Sequence, residues 1–295
     1  MESYQLRTFL AVARLGNITR AADQLHLTQP ALSKQIKALE EELGVLLFTR
    51  LPSGMALTSS GQLLLPQAER ALSAATELLN QAKAMRGEVA GTVRLGTIID
   101  PDSIKLGPFL GLLLQYYPLI QVKLQHGISG GVMQQMQAGE LDCGFYLGRI
   151  VQTGVSHLLL QTVIYRVVAP PQWAQQTAGA TWATLGALPW VGTPAHSSQN
   201  RLVREMLAEH GLQPRIAVEA DQEASMISLV RSGVGLCLMR DELAQAAAAQ
   251  DQVLILPGVQ QPCPLSFIYP QAQAHNPALQ AMLTLMREIW RVAES

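Results

Sequence analysis

A chain of 295 residues exceeds what one small hydrophobic core needs and leaves room for two or three domains. Hydrophobic content of 48% with 15% charged residues excludes a disordered chain, and a net charge of −1 excludes a uniformly basic nucleic-acid binder while leaving a local basic face open. No signal-like segment precedes the first apolar residues and no apolar run is long enough to span a bilayer, so a cytoplasmic protein without membrane partners is expected.

Residues 3–14 form the first predicted helix. Leu6, Phe9, Leu10 and Ala13 fall at helical spacing and are expected to pack on Ala21, Ala22 and Leu32, with Gly16 ending the helix. A short helix over about 18–25 follows. In the next one Leu32, Ile36, Leu39 and Leu43 recur at four, three and four, the apolar stripe of a helix on a small core. Pro30, Ser33, Lys34 and Lys37 share a different face. Thr28 stands where an N-cap belongs, with Gln29 and Pro30 in the first turn, where a missing N–H costs little. Two close helices joined by His26, Leu27 and Thr28 make a helix-turn-helix, whose second helix can enter a DNA major groove. Gly44 closes that helix. Residues 47–50 and 55–58 are expected as short strands around the turn chemistry of Pro52, Ser53 and Gly54, which makes a wing.

Ser59 or Ser60 is then expected to cap a long helix. Leu64, Ala68, Ala71, Ala75, Leu78, Ala82 and Met85 alternate spacings of four and three, a heptad seam suited to pairing with a second chain or to packing on its own domain. Pro66 is an irregularity in its second turn. Residues 87–91 read as a linker. Beyond it, strands and helices alternate: strand 92–96, a helix stopped by Pro118, strand 121–125 with Val122 and Leu124 on one face, a helix carrying Val132, Met133 and Met136, and strand 141–147. That order predicts a parallel sheet with covering helices. The second half repeats it with strands 162–169, 190–192, 216–220 and 234–239, helices 200–210, 224–231 and 241–249, a last strand 265–269 returning to the first half, and a final helix opened by Asn276 and Pro277. The expected domains are 1–58, 59–87 and 91–295. The last is an α/β domain of two lobes, about 91–162 with 268–295, and about 163–267, hinged around a cleft.

The run from Thr19 to Arg50, with Thr19, Ala21, Ala22, Leu25, Thr28-Gln29-Pro30, Leu32-Ser33, Gln35-Ile36, Leu39-Glu40, Leu43-Gly44, Leu47-Phe48 and Arg50 in register, resembles the LysR-type transcriptional regulators. The resemblance extends more weakly over the whole chain. It implies an all-α-rich winged helix-turn-helix, a long dimerisation helix, and an effector domain sharing its fold with the type 2 periplasmic binding proteins. It further implies a sequence-specific bacterial regulator that binds partly palindromic double-stranded DNA as a homodimer or homotetramer and engages RNA polymerase. One departure is that Pro170-Pro171-Gln172-Trp173 replaces the family's His-Pro-Leu segment.

For DNA, Gln29 can pair with adenine, Ser33 can reach most bases, Pro30 offers an apolar contact to a thymine methyl, and Lys34 can bond guanine or phosphate. Thr28 and Lys37 belong to the same surface. Arg50 and Ser53 at the wing are expected to meet backbone or minor groove. Glu40, Glu41 and Glu42 read as a solvated helix end, with a structural role for Glu40 implied by the resemblance.

Ligands of open α/β sheets sit outside the carboxyl ends of the strands. By resemblance the effector lies between the lobes, where the first strand ends. The candidates are Thr97, Ser103, Ser129, Gly130, His196, Ser197 and Ser198 as polar groups or backbone donors, and Ile98, Ile99 and Leu147 as apolar walls. Each hydroxyl could equally be a helix cap. Asp100 and Asp102 beside this site disfavour a multiply charged anion, so a zwitterionic, amine-bearing or neutral effector is expected, unless both only cap the helix. The alternatives are a DNA-binding regulator with no small-molecule effector, or a cytoplasmic solute-binding module.

No cofactor, metal or catalytic set is expected. His196 and Ser198 lack a G-x-S-x-G elbow, and Gly233-Val234-Gly235 precedes a strand rather than following one. Cys143, Cys237 and Cys263 are too few for a disulfide framework and read as buried reduced thiols, with a redox sensor as the alternative.

Overall fold

Residues 1–51, 54–84 and 89–292 are described by a computed structural model. The chain divides into two units, Met1–Gly91 and Thr92–Ser295.

In the first unit α1 (Ser3–Leu15) ends at Gly16 in the left-handed conformation. Asn17 then caps α2 (Ile18–Leu25), its side chain accepting the Arg20 N–H at 3.1 Å. Thr28 caps α3 (Gln29–Leu43), with Oγ1 accepting from Ala31 N–H at 3.4 Å. Phe9, Val12, Ala21, Leu32, Leu39 and Leu47 are buried together, so the helices close on one small core, and Ile36 joins it. Leu43 departs from the expected stripe: it is 38% exposed, because the core ends one turn before the helix does. The wing is an antiparallel pair, β1 (Phe48–Leu51) and β2 (Gly54–Leu57), with Phe48 opposite Leu57. Both strands lie one residue off the expected bounds. Pro52 and Ser53 at the tip lie outside the described residues.

The long helix α4 (Ser59–Ala84) carries Pro66 inside it. Its cap is neither Ser59 nor Ser60. Thr58 Oγ1 accepts the Gly61 N–H at 3.0 Å and donates to the Leu46 carbonyl at 2.6 Å, so one hydroxyl both starts the helix and ties it to the wing. The heptad seam divides. Leu64 and Ala68 pack on the unit's own core, whereas Ala71, Ala75, Leu78 and Ala82 are exposed. Met85 and residues 87 and 88 of the expected linker lie outside the described residues, and Gly91 already belongs to the next strand.

The second unit begins with β3 (Gly91–Thr97), α5 (Leu106–Tyr116), β4 (Ile120–His126), α6 (Ser129–Gln137) and β5 (Cys143–Leu147). Then come β6 (Val155–Ala169), a 3-10 turn over Pro171–Trp173, α7 (Ala174–Thr177), α8 (Trp182–Ala187) and β7 (Pro189–Gly192). The remaining elements are α9 (Ser198–Ala208), β8 (Arg215–Glu219), α10 (Glu223–Arg231), β9 (Cys237–Arg240), α11 (Asp241–Ala248), β10 (Leu254–Pro270) and α12 (Pro277–Trp290).

The sheet is mixed, where a parallel one was expected. Its order is β4-β3-β5-β10-β6-β9, with β3 and β5 parallel but β10 antiparallel to both β5 and β6. The two crossings between lobes are one long antiparallel ribbon, β6 against β10, and both strands run well beyond the expected 162–169 and 265–269. β7 and β8 form a parallel pair joined to the second lobe through a bridge between Trp190 and Leu236. Leu124 is half exposed, since β4 is an edge strand covered on one face only. Asn276 caps α12, whose Leu279, Met282, Leu283, Met286 and Trp290 are buried; Ile289 is only half-buried.

All three cysteines are buried and free. Burial pushes the thiols of Cys237 and Cys263 up to about 12, and that of Cys143 up as well, which leaves little reactive thiolate. No helix among the described residues is long and apolar enough to cross a membrane.

Candidate functional site

The outer face of α3 is a row of side chains that, apart from the Thr28 cap, hold no other element in place. Thr28, Gln29, Pro30, Lys34 and Lys37 are exposed and Ser33 is half-buried. Among the described residues Gln29 and Lys34 make no side-chain bond, and Lys37 reaches only Glu41, one turn on, at 3.5 Å. Such a pair at the surface is weak and leaves the ammonium free to exchange partners. The opposite face is fixed. Thr8 Oγ1 donates to Gln35 at 2.6 Å. Glu40 Oε1 accepts the N–H groups of Leu47 and Phe48 at 2.7 and 3.2 Å, which joins the helix to the wing. Glu40 is thus no part of a solvated charge run. Arg50 is exposed on β1, and Ser53 lies outside the described residues.

In the second unit a cavity of about 740 Å³ lies between the lobes. From the first lobe Ile98 and Ile99 follow β3, Gly127 follows β4, Ser129 opens α6, and Leu147 ends β5. From the second lobe come Tyr165 on β6, Thr193, His196 and Ser197 after β7, and Ser198, which opens α9. Asp221 and Gln222 after β8, and Glu223, which opens α10, also line the wall. The carboxyl ends of parallel strands therefore meet the starts of α6, α9 and α10 here.

Seven of the ten expected effector residues line this cavity: Ile98, Ile99, Ser129, Leu147, His196, Ser197 and Ser198. Three do not. Thr97 is buried off it, with Oγ1 turned to the neighbouring strand β4, 3.4 Å from both the Gln125 carbonyl and His126 Nδ1. Ser103 faces a neighbouring hollow and donates to Asp100 Oδ2 at 2.7 Å. Gly130 faces a second interlobe hollow.

Several hydroxyls hold the walls. Ser129 Oγ accepts the Leu147 N–H at 3.1 Å, and Ser197 Oγ caps α9 through Asn200 N–H at 3.0 Å. Ser198 Oγ donates across the cleft to the Leu147 carbonyl.

The expected role of Asp100 and Asp102 changes. Asp102 is exposed and off the cavity. Asp100 lines it, and accepts the Ser103 N–H at 2.9 Å and an N–H of Arg240. Arg240, at the end of β9, is 3% exposed and is also gripped by Glu223, Nε to Oε1 at 2.7 Å and Nη2 to Oε2 at 2.8 Å. Burial pushes the Asp100 carboxyl up, but the two bonds from Ser103 and then Arg240 outweigh it, so Asp100 titrates below its ordinary range. Burial likewise opposes the Arg240 charge, and Glu223 followed by Asp100 outweighs it. The bridge from Asp100 through Arg240 to Glu223 ties one lobe to the other. Three carboxylates, Asp100, Asp221 and Glu223, stand against this one guanidinium, so the wall keeps an acidic excess.

Arg240, Tyr165, Asp221 and Glu223 were missed from the sequence. The 221–223 segment follows a strand and opens a helix, so the strand-end rule already applied at Ser129 and His196 would have found it. Arg240 carried a weaker signal, a charge closing an apolar strand, which needs a partner if buried.

Two family models match the chain. One, described as bacterial regulatory helix-turn-helix protein, lysR family, covers residues 4–62; the other, described as LysR substrate binding domain, covers residues 86–291. The chain is 29% identical over 293 residues to the HTH-type transcriptional regulator IlvR of Caulobacter vibrioides, across 98% of each. Its fold is similar to that of full-length CbnR complexed with its target DNA, with a TM-score of 0.65 at 24% identity over 98% of this chain and 99% of that one. It is also similar to ArgP from Mycobacterium tuberculosis, with a TM-score of 0.71 at 18% identity over 99% and 98%.

Proposed function

The chain belongs to the LysR-type transcriptional regulators, and from that premise we propose how its residues divide the work. The α3 face reads DNA, with Gln29, Pro30, Ser33 and Lys34 toward base edges in the major groove, Thr28 and Lys37 toward phosphate, and Arg50 and Ser53 of the wing on the backbone or minor groove. The exposed part of the α4 seam, Ala71, Ala75, Leu78 and Ala82, pairs with a second copy. That pairing sets two α3 helices about one DNA turn (~34 Å) apart on a partly palindromic operator. Dimers or tetramers so formed act in the cytoplasm beside RNA polymerase, and the chain works as a switch without catalysis.

The switch is a small effector in the interlobe cavity. The observation that carries this is the cavity itself: about 740 Å³ with polar groups converging from both lobes, where a regulator without an effector would have a filled cleft. The acidic excess of Asp100, Asp221 and Glu223 suits an amine. The N-terminal N–H groups of α6 and α9, which border the same space, suit a carboxylate. A zwitterion satisfies both, and a dicarboxylate does not. Contacts to both lobes would favour one lobe arrangement and so alter DNA engagement.

Thermal melting of the full chain against amino acids, amines, aromatic acids, dicarboxylates and sugars tests this reading. A true ligand at a hundred times its Kd adds about 2.7 kcal/mol. A hit among zwitterions or amines is expected. Stabilisation by dicarboxylates alone removes the amine argument, and no shift across the panel removes the effector.

A further inference from the structure

Beside the main cavity lies a second hollow of about 260 Å³, and His196 and Ser197 line both. Its walls also come from the two lobes: Gly130, Gln134 and Tyr146 from one, His196 and Arg201 from the other. The partition is a close backbone approach, since a Cβ on Gly130 would lie 2.0 Å from the His196 carbonyl oxygen. At roughly 30 Å³ per water, the hollow has room for several waters or one small solute.

Its chemistry is set by Arg201. This side chain, one turn into α9, is half-buried, and Nη2 donates to Tyr146 Oη at 3.2 Å. Among the described residues Arg201 makes no ion pair, whereas Arg94 pairs with Asp142, Arg166 with Asp241, and Arg240 with Glu223. Gly148, with φ of +115°, lies beside the guanidinium, and a Cβ there would lie 2.4 Å from Arg201 Nη2. A guanidinium has five N–H donors in a planar fork and favours oxyanions that accept two of them.

We infer that this hollow is a second binding site, for a small anion held by Arg201 with Tyr146 and distinct from the effector cavity. The shared chemistry is that of a small carboxylate or an inorganic oxyanion. Because Arg201 and Tyr146 belong to different lobes, the bound anion braces one lobe against the other.

Titration calorimetry of the full chain tests it, with inorganic phosphate and acetate as separate probes and ionic strength held constant with chloride. Saturable binding of at least one probe is expected; phosphate alone assigns an oxyanion site and acetate alone a carboxylate site. Arg201→Gln, checked for a native melt, weakens binding at least about tenfold, as loss of a charge-assisted hydrogen bond predicts. Tyr146→Phe keeps the charge and weakens it about fivefold. Lack of saturation by both probes overturns the proposal, as does equal affinity in folded Arg201→Gln. Should Arg201→Gln fail to fold, wild-type affinity in Tyr146→Phe overturns it instead.

Discussion

The two units expose their polar groups in opposite ways. On α3, Gln29 and Lys34 face solvent with no side-chain bond among the described residues, while Glu40 and Gln35 behind them fasten the helix to the wing and to α1. In the interlobe cavity most polar groups already hold something. Ser129 holds Leu147, Ser197 caps α9, Ser198 crosses to Leu147, and Asp100 and Glu223 share Arg240. A surface that reads a large rigid polymer keeps its donors free and its support separate. A cavity that must close around a small molecule builds its walls from the same groups that line it, so binding there and lobe closure are one equilibrium.

The sharpest way to break that comparison is to remove the cation on which the cavity wall turns. Arg240→Met fills the volume but leaves Asp100 and Glu223 facing each other unpaired. Loss of one partner from a buried network costs about 3 kcal/mol, the low end of the usual range because Asp100 is 41% exposed on its side chain. The midpoint of urea unfolding reads it. A loss below about 1 kcal/mol would make the bridge an ordinary solvated pair and would detach it from the wall. The same substitution should leave the DNA face untouched.

A smaller effect sharpens the other side. Lys34→Ala removes an exposed ammonium that supports nothing in the fold, so the melting temperature should stay put. If Lys34 meets phosphate, the slope of log K against log salt falls by about 1 unit. An unchanged slope with altered base preference would move Lys34 from phosphate to guanine, and no change in either would strike it from the face.

The contrast also explains what the sequence could disclose. The winged unit is local: Leu32, Ile36 and Leu39 at helical spacing, Thr28 before Gln29 and Pro30, and Gly16 and Gly44 after their helices are each read within a few residues. The lobes were legible as alternating elements, but the ribbon between them was not. Pro257, Gly258, Pro262 and Pro264 argue against a strand over β10, yet Pro257 and Gly258 fall in a register shift between Ile255 and Gln260, and Pro262 and Pro264 stand opposite Ile164 and Thr162 in regular register, before a second shift after Leu265. In β6, Leu158 and Leu160 are buried while Leu159 is exposed, an alternation that three consecutive leucines conceal. The cavity's polar network was hidden for a different reason. Asp100 and Arg240 are 140 residues apart, and no periodicity links a loop after β3 to the end of β9. The strand-end rule and the resemblance supplied the ten effector candidates, seven of which line the cavity; the pairing that decides their electrostatics comes only from the folded chain.

The smallest effect concerns protons. The Asp100 carboxyl titrates below its unfolded value of about 3.9, since Ser103 and Arg240 outweigh burial. The native state therefore binds fewer protons than the unfolded one between those two values. The stability that ionised Asp100 contributes is complete above the unfolded pKa and is lost as pH falls through the folded one. Asp100→Asn lacks this linkage. The gap in urea midpoint between wild type and Asp100→Asn should be constant from pH 7 to about 5 and narrow below about 4. A gap that stays constant to pH 3 would mean that Asp100 contributes through shape and hydrogen bonds alone. The first lobe would then hold Arg240 without help from charge, through its hydrogen bonds to Asp100 and Ser103, and the ion pair of Arg240 with Glu223 would be internal to the second lobe.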